Sequence, residues 1–154
     1  MGDRAMSTIF ADKFKNTSGG NPVQINQLRG IDTAGSITVQ GEGTATTNLQ
    51  QGLSKSWMNL NGTSTIATRD SFNVSTVVDR GTGLYTQRFT SNMSNDDYAV
   101  GGSGMATHKD ADGRNRIMVG DPQSTSDIHV NTFTTSGGAE DIEYVAAIAH
   151  GDLA

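Results

Sequence analysis

The sequence predicts a mostly β protein with a thin, β-rich N-terminal segment, a short helix or linker, and then a C-terminal antiparallel β-sandwich. Three observations predict it. Gly, Ser, Thr and Asn supply 19, 14, 19 and 11 of the 154 residues, and only 34% are hydrophobic, which is thin for one thick core. The apolar residues gather in short runs of period two, bounded by glycine-containing turns. Between those runs no long stretch carries the 3.6-residue period of a crossover helix, so strands meeting through turns are favoured over parallel βαβ units.

Taken in order, residues 1–48 form the thin N-terminal segment. Two aromatics, Phe10 and Phe14, stand there among stretches such as NTSGGNP (16–22) and GEGTATTN (41–48). VQINQL (23–28) places Val23 and Ile25 on one side, and SITVQ (36–40) does the same with Ile37 and Val39. Residues 49–57 read as a short helical connector, because Leu49, Leu53 and Trp57 stand four apart and line one helix face. So short a helix, carrying Gly52, is marginal in water unless its stripe is covered. The stripe serves either its own domain or an interface between chains, which makes Leu49, Leu53 and Trp57 candidates for oligomer contact.

Residues 58–154 are the sandwich head. TIATRDSFNVS (65–75) alternates, with Phe72 and Val74 expected on one side. STVVD (75–79) and LYTQRF (84–89) flank DRGTG, a turn of hairpin length, and Tyr85, Gln87 and Phe89 share a face. YAV (98–100), RIMV (116–119) and IHVNTF (128–133) continue the series. EDIEYVAAIAH (140–150) is ambiguous, since its alanines favour helix while Ile142, Tyr144, Ala146 and Ile148 fit alternation. The need to close an apolar sheet edge favours the strand.

Composition also narrows function. A net charge of −5 with scattered Lys and Arg offers no stripe for a phosphate backbone, so no nucleic-acid partner is expected. No apolar run is long enough for a membrane helix, and Met1-GDRAM does not open like a secretory signal. Cysteine is absent, so neither a disulfide nor a thiolate site can form. His108, His129 and His150 stand far apart and outside any HExxH pattern, and no GxSxG elbow occurs. The chain reads as non-enzymatic, with no cofactor and no metal. GGSGMATHKDADGRN (101–115) alone resembles a ligand loop, with Asp110, Asp112 and Asn115 around Gly113. A calcium loop needs glutamate at its twelfth position, where this chain has Asp121. Its His108, Asp110, Asp112, Arg114 and Asn115 fit a polar hairpin tip, or a tip that touches a receptor.

KSWMNLNGTSTIATRDSFNVSTVVDRGTGLYTQRFTSNMSNDDYAV (55–100) resembles a repeated module of tail fibres and other virion proteins of tailed phages, of marine phage or cyanophage type. The resemblance rests on Trp57, Asn59, Asn61, Gly62 and Thr63. It continues through Arg69, Ser71, Phe72, Asn73, Val74 and Ser75, then Asp79, Gly81, Thr82, Gly83, Tyr85 and Thr86. It ends with Phe89, Met93, Tyr98, Ala99 and Val100. The chain departs from the usual pattern at Met58, Leu60, Gln87 and Arg88. MSTIFADKFKNTSGG, from Met6, is similar to the start of such proteins, and 128–150 loosely resembles the closing strands of H-type lectin-like sandwiches.

The resemblance implies a homotrimer located in the virion. Its N-terminal segment would attach to other virion proteins, and its head would contact host surface glycan. A capsid decoration or cement protein is the alternative, favoured by compactness and the lack of a long shaft.

Overall fold

The computed structural model describes residues 37–40, 44–105, 115–122 and 124–154. Strands β1 (Thr38–Gln40) and β2 (Thr46–Asn48) pair as a small antiparallel hairpin, followed by α1 (Leu49–Gly52). The head holds β3 (Ser56–Asn61), β4 (Ala67–Phe72), β5 (Val74–Gly81) and β6 (Leu84–Phe89). It is completed by β7 (Ala99–Met105), β8 (Asn115–Pro122), β9 (Asp127–Phe133) and β10 (Tyr144–His150). These eight strands make one antiparallel sheet in the order β4-β3-β10-β7-β8-β9-β6-β5. The mostly β expectation is met, and 144–150 is a strand.

The sandwich arises because this sheet folds back on itself at β8, giving a nearly closed barrel. β8 runs the length of β9 through six paired positions, yet pairs with β7 only at Gly104↔Arg116 and Met105↔Asn115. One half then turns Met58, Leu60, Val145, Ala147 and Ala149 inward, and the other turns in Tyr85, Phe89, Ile128 and Val130. Alternation delivers each set, since successive side chains of a strand point to opposite faces. One polar pair crosses this core: Gln87 Nε2 donates to Ser56 Oγ at 2.7 Å.

The edge strands β4 and β5 are joined by the single residue Asn73, with φ of 56°. That corner corrects the expectation that Phe72 and Val74 share a side. Phe72 stands on the outer surface, whereas Val74 packs against the core, because the left-handed turn at Asn73 resets the alternation. The predicted hairpin across DRGTG is present as β5 and β6, with Gly81 and Gly83 at positive φ.

The helical connector is shorter than the spacing predicts. α1 ends at Gly52, Leu53 is already extended, and Trp57 lies within β3, so Leu49, Leu53 and Trp57 do not share a helix face. Asn48 caps the helix start through its Oδ1, which accepts from the Gln50 and Gln51 amides. At the other end the buried Lys55 ammonium donates to the carbonyls of Gln50 and Leu53, occupying groups a continuing helix would have used. From there Ser56, Met58 and Leu60 alternate inward, and their burial outweighs the four-residue coincidence.

Candidate functional site: the outer face around Trp57

On β3 the inward set leaves Trp57, Asn59 and Asn61 facing out, each half-buried. Register supplies their neighbours. Trp57 lies opposite Phe72 of the edge strand β4 and opposite Ile148 of β10, and Ile148 lies opposite Gly101 of β7. Phe72 is 51% exposed and Ile148 36%. An aromatic and aliphatic row therefore crosses four strands on the solvent side, where alternation in an antiparallel sheet normally puts polar residues. The next row is polar, with Asn59 opposite Asp70 and Ala146, and Ala146 opposite Ser103.

Beyond those rows the β3–β4 ladder slips between Asn59 and Leu60, passing from Asn59↔Asp70 to Leu60↔Thr68. Arg69 is the extra residue of this bulge. Its guanidinium lies 4.0 Å from the Tyr144 ring centre and donates to the carbonyls of Leu60 at 3.1 Å and Glu143 at 2.6 Å. The Glu143 carboxylate adds a looser ion pair at 3.7 Å. Arg69 thus fills the defect, its Nη1 serving both carbonyls while the guanidinium lies over Tyr144.

Several polar groups elsewhere in the head hold backbone. The Asp141 carboxylate accepts from the Gly83 amide at 2.6 Å and sits 3.1 Å from the Tyr85 hydroxyl, which also faces the Gly62 carbonyl at 3.1 Å. Burial, reinforced by the nearby Asp141 charge, pushes the Tyr85 phenol well above its ordinary range. Tyr98 packs edge-to-face on Phe89 at 5.8 Å, and its hydroxyl meets the carbonyls of Ser124 and Asp127. Burial first, then the charges of Asp127, Asp96 and Asp121, push that phenol up as well. Both stay neutral and serve as hydrogen-bond donors. Arg116 and Glu140 form a two-pronged ion pair that ties β8 to the segment before β10.

Among the described residues no group of three or more acidic or histidine side chains is placed to hold a metal ion. His129 and His150 lie on β9 and β10. Of the anticipated receptor-contact residues, His108, Asp110, Asp112 and Arg114 lie outside the described residues, and Asn115 opens β8 opposite Met105. Of the anticipated interface residues, Leu49 begins α1 half-buried, Leu53 is 56% exposed, and Trp57 belongs to the outer row. The spacing reading missed Phe72 and Ile148 as companions of Trp57. Cross-strand register brings them together, and a single sequence does not display register.

The geometry defines an all-β head in which several polar side chains hold backbone and a row of apolar side chains faces outward. Comparison with protein-family models, with curated proteins and with solved structures gives no match for this chain.

Proposed function

We propose that this chain is a non-enzymatic structural protein of a tailed-phage virion, a trimeric tail fibre whose β-sandwich head contacts the host surface through glycan. Residues 1–48 attach it to other virion proteins. The observation that carries the reading is the ordered resemblance across 55–100. Its support from the fold is that many of those positions have demanding backbone roles. Gly62 lies under Tyr85, Asn73 turns the edge corner, Gly83 has positive φ, and Met93 and Tyr98 close the core. A module that recurs with such residues is recurring as a scaffold. A second support is the β1–β2 hairpin. Its strands are three residues each and nearly wholly exposed, too little to stand alone in water and suited to burial among several chains.

Gold-tagged antibody against the chain, applied to purified phage particles that carry its coding sequence, tests this reading by electron microscopy. Label on the tail is the expected result. Label spread over the head shell would instead mark a capsid decoration protein, which the small head favours, and particles without label would end both readings.

A further inference from the structure

The row at Trp57 continues around the head. On the inner side of β7 and β8, a Cβ at Gly102 would meet the Met118 side chain and one at Gly120 would meet Val100, so these positions confront each other across the two strands. The outward positions between them must confront each other likewise, Gly101 with Val119 and Ser103 with Ile117. Val119 in turn lies opposite Asn131 of β9, and Asn131 opposite Leu84 of β6, while Ile117 lies opposite Phe133. An uncharged belt thus runs from Phe72 on one edge strand to Leu84 near the other. Ile117 and Val119 are 47% and 45% exposed.

We propose that this belt is where copies of the chain meet: the Phe72–Trp57–Ile148 end of one copy seats against the Ile117–Val119 end of the next. The inference rests on the oligomeric part of the function proposed above and names the surface that performs it. Four features of the molecule carry it. The chain has a net charge of −5, so identical copies repel unless neutral surfaces come together, and the row from Phe72 to Leu84 carries no ionisable side chain, with Asp70 and Asp121 flanking it. Of the belt's four most exposed members, Phe72 is aromatic, whereas Ile148, Ile117 and Val119 are aliphatic and offer a hydroxyl-rich sugar neither a hydrogen bond nor an aromatic face but suit a protein surface. Exposed Leu53 leads from the β1–β2 hairpin and α1, which hold no buried residue, into β3 and Trp57. The two patches lie on different strands of the curved sheet, β4-β3-β10 for one and β8 for the other with β7 between them, so they are unlike surfaces. A contact between unlike patches is head-to-tail, and such contacts form a ring where the rotation from one copy to the next closes.

The test uses the full chain and measures mass in solution by light scattering after size exclusion, with circular dichroism to check the fold. Phe72→Lys and Ile117→Glu should each reduce the assembly to one chain of 16.2 kDa with an unchanged β spectrum. The chain carrying both substitutions should reassemble, since opposite charges then meet across the contact. Ile148→Lys replaces Phe72→Lys if the latter disturbs folding. An unsubstituted chain that is monomeric at every concentration would remove the oligomeric reading and this inference together. An oligomer whose mass resists both single substitutions, or a double variant that stays monomeric, overturns the belt contact alone. Unchanged mass with lost binding to host polysaccharide would make the belt a sugar platform and likewise overturn the proposal.

Discussion

Asn73 and Ser91 are joined twice: the Asn73 Oδ1 accepts from the Ser91 amide at 2.7 Å, and its Nδ2 donates to the Ser91 carbonyl at 3.0 Å. The same Nδ2 donates to the Lys55 carbonyl at 2.9 Å. One side chain thus ties the β4–β5 corner to the entrance of β3 and to the segment after β6. With both amide hydrogens engaged, the Asn73-Val74-Ser75 triplet serves as a structural clasp.

Replacing Asn73 separates its two contributions. Asn73→Gly keeps the freedom to hold φ of 56° but loses three hydrogen bonds, about 1 kcal/mol each when net contributions are counted. Asn73→Ala loses the same bonds and adds roughly 1 kcal/mol for a left-handed Cβ. Urea unfolding should therefore rank wild type above Gly and Gly above Ala. An alanine variant as stable as the glycine one would show that the backbone conformation carries no cost.

Gly62 and Tyr85 form a second fixed pair. A Cβ at Gly62 would lie 2.8 Å from the Ile142 carbonyl oxygen and closer still to the Tyr85 hydroxyl. Gly62→Ala should cost about 1–3 kcal/mol through overpacking. Tyr85→Phe should cost about 1–2 kcal/mol by depriving the Gly62 carbonyl and Asp141 of a donor. The two should not add, because the smaller ring edge relieves part of the clash. A strictly additive double mutant in thermal unfolding would mean that the loop around Gly62 moves away freely.

How far the sequence displayed all this depended on the range of the interaction. Short-range signals were legible: DRGTG as a hairpin, Tyr85, Gln87 and Phe89 on one face, and turn residues between short strands. The spacing of Leu49, Leu53 and Trp57 misled, because Ser56, Met58 and Leu60 carry an equally good period of two and have a core waiting for them. Lys55 reinforces the break by donating to the carbonyls of Gln50 in α1 and of Leu53 just beyond it. The break at Asn73 was hidden because only its left-handed φ shows that one alternating stretch is two strands. The surface around Trp57 was half legible: the tryptophan stood out, but Phe72 is 15 residues away and Ile148 is 91 away, and only register unites them.

Alkali should unfold the head through its two buried phenols. The folded chain holds Tyr85 and Tyr98 neutral, whereas in the unfolded chain they ionise near pH 10. Their stabilising contribution is therefore fully present below about pH 10 and is lost as pH rises further. Each phenol contributes a slope of about 1.4 kcal/mol per pH unit in that window. Urea midpoints at successive pH values should fall steeply above about pH 10, and Tyr85→Phe and Tyr98→Phe should each flatten the fall. An unchanged slope in both variants would mean that water reaches these hydroxyls in the folded chain.

Arg69 offers a test of shape against charge. Its guanidinium reaches the carbonyls of Leu60 and Glu143 at once while lying over Tyr144, filling the space that the β3–β4 slip opens. A lysine ammonium at that position keeps the charge and the looser attraction to Glu143, but it cannot lie over Tyr144 as a plane while one of its donors holds the two carbonyls that Nη1 now serves. The exposed ion pair itself contributes little, within about 1 kcal/mol. Arg69→Lys should therefore lose nearly as much stability as Arg69→Ala, about 1–2 kcal/mol in each case. Differential scanning calorimetry decides it. A lysine variant that melts with the wild type would mean that the bulge needs only a positive charge, and that the ring and the two carbonyls are incidental neighbours.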